Sequence, residues 1–359
     1  MTITSERIAL EKLVPLRISR GISGSTTNLV VQIEHEGIIG LGELGPNSVS
    51  GDKAETGEKD IETLRPALTE LSPGELDRVE EVLNGLQSAA TGLGGIGGGA
   101  AIKVAIEMAC HDWLGKKLGV AVWQLYGLDR RRIVETSVTV GIQSPEEAAQ
   151  QTRDWHTRTG ARVLKIKLGS PEGIEADQAM FAAIQEASRA FSKPAIFRVD
   201  ANGGWSVAQA QLMVPWLAAR GVEYVEQPLE QGNEDGLAAL RPAAIPIFLD
   251  ETIRVASDVV KVASVVDGVN VKLMKCGGLR EALRIVAVAK AHGLHTMLGC
   301  MGETSLAITA GAQIGAAFDH LDLDSHLNLK NDPFVGADWK DGKVIPTDAP
   351  GLGTSPRIS

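Results

Sequence analysis

Val163-Leu164-Lys165-Ile166-Lys167 decides the fold: a short run of branched apolar residues carrying two lysines two positions apart. On a strand, residues i and i+2 share a face, so Lys165 and Lys167 point one way while Leu164, Ile166 and Leu168 point the other. Similar runs stand on both sides of it. Ser137-Val138-Thr139-Val140 precedes it. Ala195-Ile196-Phe197-Arg198-Val199-Asp200, Tyr224-Val225-Glu226, Ile247-Phe248-Leu249-Asp250, Val269-Asn270-Val271-Lys272 and Thr296-Met297-Leu298 follow. They recur every 22 to 33 residues or so, about one strand, one helix and two loops, each trailed by an Ala-rich amphipathic stretch. Held over roughly 190 residues, that period predicts a parallel β/α barrel. A doubly wound open sheet is the structural competitor, but it does not require functional groups at the end of nearly every strand.

Ahead of the barrel pattern, residues 6 to 45 alternate apolar and polar positions around turn signals such as Glu36-Gly37, as a short antiparallel sheet does. Helical periodicity follows near 58 to 71, 75 to 87 and 100 to 118. Residues 1–125 are therefore expected to form an α+β unit and 126–325 the barrel. The polar, turn-rich stretch 326–359 is expected to return and complete the first unit. Gly92-Leu93-Gly94-Gly95-Ile96-Gly97 fits the dinucleotide pattern, but a helix rather than a strand precedes it, so it reads as a flexible loop.

The chain has 359 residues, enough for a barrel plus a smaller partner, and a formal charge of -10. With no Lys/Arg-rich run, a nucleic-acid partner is not expected. No apolar stretch approaches a membrane span, and Met1-Thr2-Ile3-Thr4-Ser5-Glu6 lacks the pattern of a signal peptide, so a cytoplasmic protein is expected. Cys110, Cys276 and Cys300 are too few and too scattered for a disulfide framework or a zinc site. A homo-oligomer is compatible with all of this.

Charged residues at strand ends carry the chemistry, because a barrel interior is otherwise filled with branched apolar side chains. Asp200, Glu226 and Asp250 end three consecutive strands. Carboxylates converging at one mouth repel unless a hard cation sits among them, and oxygen-only ligation suits Mg2+ better than zinc. Lys165 and Lys167 face inward, as does Lys272 on the far side, where burial and like charge are expected to lower an amine's pKa toward neutrality. A metal ringed by acids with an amine on each side suits proton abstraction beside a carboxylate, through a metal-stabilised enediolate.

Leu164-Lys165-Ile166-Lys167, Val199-Asp200-Ala201-Asn202, Val225-Glu226-Gln227-Pro228, Leu249-Asp250-Glu251 and Asn270-Val271-Lys272-Leu273-Met274-Lys275-Cys276-Gly277-Gly278 together resemble the muconate-lactonizing subgroup of the enolase superfamily. The likeness covers nearly the whole chain. It implies a modified TIM barrel, (β/α)7β, with an N-terminal α+β capping domain whose loops near residues 17 to 26 and 46 to 57 close over substrate. It implies that Asp200, Glu226 and Asp250 bind Mg2+, that Lys167 and Lys272 are the two bases, and that Lys165 and Lys275 support them.

Asp322-Leu323-Asp324 looks like the paired-aspartate signature of dipeptide epimerases. Two acids two apart on an extended segment share a face and suit a free ammonium. Gly299-Cys300-Met301-Gly302-Glu303-Thr304 matches the subgroup's segment before its last helix and places Met301 beside substrate. Gly302 departs from the bulkier apolar residue of the Ala-Glu epimerases, which leaves the side-chain preference open. Arg17 and Arg20 of the cap are candidates to pair with an acidic second residue, Arg20 being the one assigned to substrate. The expected activity is two-lysine epimerisation of a dipeptide. The alternatives are o-succinylbenzoate synthesis, N-succinylamino acid racemisation, muconate cycloisomerisation, or a silent ligand-binding barrel.

Overall fold

The computed structural model describes residues 1–47, 50–90 and 99–358. The glycine-rich stretch 92–97 lies outside them. Three antiparallel strands open the chain: β1 Thr2–Ile18, β2 Gly21–His35 and β3 Ile38–Leu44. The pairing of β1 with β2 runs from Thr2↔Glu34 to Ile18↔Gly21, with an irregularity between Glu11 and Leu16 that bends the outer strand. Helices α1 Ala54–Thr69, α2 Leu76–Ala90 and α3 Ala100–Leu118 follow.

Helix α3 is buried almost all round, which marks it as the core of this unit rather than a surface helix. It lies so close to β3 that a Cβ on Gly40 would stand 2.0 Å from the Ala109 carbonyl oxygen, and one on Gly42 1.8 Å from that of Ala105. The polar groups of α3 bond outward. The Asp112 carboxylate accepts from the Leu41 amide (2.9 Å), the Leu352 amide (2.8 Å) and the Lys116 ammonium (2.7 Å), joining sheet, helix and the returning tail.

After α4 Val122–Leu125, eight parallel strands alternate with helices. In chain order these are β4 Val138–Val140, α5 Pro145–Thr159, β5 Val163–Lys167, α6 Ile174–Ser188, β6 Ile196–Asp200 and α7 Val207–Ala218. Then come β7 Val222–Glu226, α8 Glu234–Ala238, β8 Ile247–Leu249, α9 Ala256–Val262, β9 Gly268–Lys272, α10 Leu273–Cys276, α11 Leu279–Ala291, β10 His295–Gly299, α12 Ser305–Ile314 and β11 His320–Asp322. Each strand pairs with its neighbour in sequence, and a parallel bridge Thr136↔Leu321 brings the ends together, which makes a (β/α)7β barrel. Below the mouth, Tyr224, Phe248 and Met297 fill the bore; the two rings stack at 4.3 Å and the Tyr224 hydroxyl donates to Met297 Sδ. Among the described residues no helix is long and apolar enough to cross a membrane.

Gly42→Ala is expected to lower stability by about 1–3 kcal/mol in urea unfolding, because sheet and helix must separate to admit the methyl. Gly85→Ala, on an exposed turn of α2 with nothing within 4 Å, is expected to be neutral or to stabilise by up to about 1 kcal/mol. An unchanged Gly42→Ala protein would show that α3 and β3 part freely.

Candidate active site

Strand register puts Lys167, Asp200 and Glu226 at one level, since Lys167 pairs with Asp200 and Asp200 with Glu226. Asp250 stands one residue past the end of β8 rather than on it. Oxygens of Asp200, Glu226 and Asp250 lie within 4.8 Å of one another, and all three residues are buried. This is the one group of three potential ligands among the described residues.

Four ammonium groups surround it. Lys165 Nζ is 2.7 Å from Glu226 Oε2, 2.8 Å from Asp322 Oδ2 and 3.3 Å from Asp200 Oδ2. Lys167 Nζ is 2.5 Å from Asp200 Oδ2, and across the barrel Lys272 Nζ is 2.5 Å from Asp250 Oδ2. Lys275, on α10, bonds the other Asp250 oxygen and the Asn270 carbonyl. Asn270 in turn donates to Glu226 Oε1 at 2.7 Å.

These pairs correct one expectation from the sequence. Burial alone would lower the Lys272 pKa, but Asp250 outweighs it and the pKa is raised. Lys165 is raised as well, burial being overcome by Asp322, Glu226 and Asp200. For Lys275, by contrast, burial dominates and lowers the pKa. Glu226 is pushed up to about 8 by burial and then by Asp200, the sign of an anionic cluster that favours added positive charge. Asn202 Oδ1 and Glu251 Oε2 are further buried oxygens with no hydrogen-bond donor beside it. A donor set of carboxylate oxygens, without His or Cys, fits a hard divalent cation such as Mg2+.

The paired aspartates come together but differ. Asp322 ends β11 with both oxygens engaged, Oδ1 by the Ser137 hydroxyl (2.6 Å) and Oδ2 by Lys165. Asp324 has already left the extended path and precedes the short helical turn Ser325–Asn328. Its Oδ2 accepts the Thr139 amide at 2.7 Å, while the Cys300 thiol stands 3.8 Å from Oδ1. Burial and then Asp322 raise Asp324 to about 6.

Both aspartates line a cleft between the barrel mouth and the β1–β2 sheet, together with Met301, the lysines, Val14, Pro15, Leu16, Ile18 and Leu329. Arg20 also reaches this cleft, but its guanidinium donates to the Asn202 carbonyl and to Glu251, each at 2.7 Å. Arg17 stays outside, 3.5 Å from Glu172. Among the described residues, none between 46 and 57 lines the cleft. Lys12, Thr139, Gln151 and Trp155 line it without having been singled out. Lys12 and Trp155 carry no local signal, since folding alone brings a cap strand and a barrel helix to the mouth. Asn202 and Glu251 stood inside quoted motifs, where their closeness to Asp200 and Asp250 was the available signal.

Residues 2–127 match the mandelate racemase / muconate lactonizing enzyme N-terminal domain, and residues 147–358 match the enolase C-terminal domain-like family. The chain belongs to the mandelate racemase / muconate lactonizing enzyme family. Within that family it is 46% identical over 355 residues, 98% of each chain, to a hydrophobic dipeptide epimerase of Roseobacter litoralis. It is 33% identical to an L-Ala-D/L-Glu epimerase of Bacteroides thetaiotaomicron, over 92% of this chain and 81% of the other. A dipeptide epimerase from Enterococcus faecalis V583, solved with Mg and the dipeptide L-Leu-L-Tyr, superposes with a TM-score of 0.87 at 32% identity, covering 98% of both chains.

In this chain a buried carboxylate helps to join the two units. Glu43 of β3 accepts from the Asn28 side chain (2.6 Å), the Thr304 amide (3.0 Å) and hydroxyl (2.5 Å), and the Ala307 amide (3.1 Å) at the start of α12. A carboxylate only accepts, so Glu43→Gln would turn an NH2 toward these donors. That substitution is expected to cost about 1–3 kcal/mol in urea unfolding. Full stability would mean that Glu43 does not hold the cap to α12.

Proposed function

We propose that this protein is a Mg2+-dependent dipeptide epimerase that inverts an α-carbon by proton transfer between Lys167 and Lys272. The observation that carries this is the pair of amines on β5 and β9, on opposite sides of the three-carboxylate cluster. The activities named for the relatives support it. In this reading 126–325 carries the chemistry, and 1–125 with 326–359 caps it.

Asp200, Glu226 and Asp250 would hold the cation, which when bound supplies positive charge to the substrate carboxylate as the α-proton leaves. Lys167 takes or returns a proton on one face and Lys272 on the other. Lys165 and Lys275 hold Glu226 and Asp250 in place by their ion pairs. Asp324 Oδ1, open to the cleft, receives the dipeptide's ammonium, and Asp322 sets Lys165 and Ser137. An N-succinyl substrate would instead bring a carboxylate toward these acids, which disfavours that alternative. Leu16, Ile18 and neighbouring apolar residues of the cleft suit an apolar second side chain, in keeping with the Roseobacter relative. Met301 lies along the same wall.

Lys167→Ala and Lys272→Ala are each expected to abolish epimerisation, since inversion needs two acid-base groups. In deuterium oxide each variant is expected to exchange the α-proton of one epimer only, with opposite preferences, read by NMR. Interconversion near the wild-type rate in either variant would defeat the two-lysine assignment.

Ammonium binding needs Asp324 ionised, so its share of affinity is present above about pH 6 and is lost as the pH falls through that value. KM for free-amine dipeptides is expected to rise about tenfold per unit below pH 6 relative to N-acetylated ones. Asp324→Asn should remove that difference. A pH profile identical for both substrate types would show that Asp324 does not read the amine.

A further inference from the structure

We propose that Arg20 is a positioning residue that couples the cap wall to the divalent-cation site, so that metal binding and the seating of residues 16–20 strengthen one another. This rests on the metal reading given above. Arg20 lies at the β1–β2 turn, and its guanidinium spans two barrel loops by donating Nη1 to the Asn202 carbonyl and Nη2 to Glu251 Oε1. Each loop begins with one of the clustered acids: Asp200 two residues before Asn202, and Asp250 next to Glu251.

The wiring from Arg20 to those acids is continuous. The Asn202 amide donates to Asp200 Oδ1 at 2.8 Å and its side chain to Asp200 Oδ2 at 3.2 Å. Asn202 sits at φ 45°, a left-handed conformation that these contacts hold in place. On the other side, Gln227 follows Glu226 and its Oε1 accepts the Asp250 and Glu251 amides at 3.0 and 3.2 Å. Turning or shifting Asn202 or Glu251 therefore moves a carboxylate that faces the cation.

The cap is held at the same points. The Ser19 hydroxyl donates to the Asn202 carbonyl at 3.0 Å, and the Ile142 amide donates to the Arg17 carbonyl at 2.8 Å. Ile18 of the cleft wall is bracketed by these contacts and Leu16 adjoins them. Glu251 has 7% of its side chain exposed and Arg20 is its one direct ion-pair partner among the described residues, so without Arg20 it would be a nearly buried anion served only by the more distant Lys272 and Lys275. Lysine is a poor replacement, because one ammonium on a flexible stem lacks the planar fork that spans both acceptors. Coupling of this kind is reciprocal: whatever the seated cap adds to metal affinity, the metal adds to seating.

The test uses the full chain without substrate. Mg2+ is titrated by calorimetry into wild type, Arg20→Met and Arg20→Lys, and trypsin cleavage after Arg17 is followed by mass spectrometry with and without Mg2+. The expected result is at least about fivefold weaker Mg2+ binding in Arg20→Met, with Arg20→Lys between it and wild type. Mg2+ is expected to slow cleavage after Arg17 in wild type and to have little effect in Arg20→Met. Melting curves screen for misfolding, and if Arg20→Met does not fold, Arg20→Lys carries the comparison. Wild-type Mg2+ affinity in the folded variants, or cleavage of wild type that ignores Mg2+, overturns the coupling while leaving the metal reading intact. Absence of Mg2+ binding by wild type overturns both.

Discussion

Three carboxylates held within 4.8 Å of one another in a buried barrel mouth are a severe electrostatic constraint, and much of the surrounding architecture answers it. Isolated, each would lose its hydration and meet two like charges at close range. Lys165, Lys167, Lys272 and Lys275 offset that charge from β5 and from the β9–α10 corner, while Asn270 and Asn202 supply neutral donors. Lys165, Lys167, Asn270 and Lys272 are placed by strand register, and Lys275 and Asn202 by the turns that follow β9 and β6, so the cluster needs the closed barrel beneath it. The buried Tyr224–Phe248–Met297 layer fills the bore beneath that mouth.

A second theme is how the cap is oriented on the barrel. Glu43 reaches the start of α12, and Glu107 accepts the Leu279 and Arg280 amides at the start of α11. In both cases a negative side chain meets the exposed N–H groups of a helix N-terminus, where the helix dipole favours it. The shared apolar core holds the two units together but is non-directional. Directional acceptors fix their angle, and with it the position of the cleft wall over the carboxylates.

Much of this was legible along the chain because it is local. Alternation within β5 and β9 is enough to turn Lys165, Lys167 and Lys272 inward, and the strand period is enough to bring Asp200, Glu226 and Asp250 to one end. What escaped depends on partners far apart in sequence. Arg20 lines the cleft, but its two acceptors lie 182 and 231 residues away and leave no mark on the sequence near it. The Lys272 pKa was expected to fall because burial was weighed without Asp250, whose distance of 2.5 Å no pattern on β9 reveals. Asp322 and Asp324 looked alike as a pair, and only the change of backbone direction after β11 separates their roles.

The Asp112–Leu352 contact also orders events during synthesis. Asp112 leaves the ribosome with α3, but the amide that completes its bonding comes 240 residues later. At elongation rates of about 5–20 residues per second, that is an interval on the order of ten seconds or more. Throughout it, the most apolar helix of the cap has its sheet to pack on but lacks its last buried partner. Until residue 352 is made, Asp112 has its bonds from Leu41 and Lys116 but not the one from the tail, so the buried bonding of the N-terminal unit is completed late.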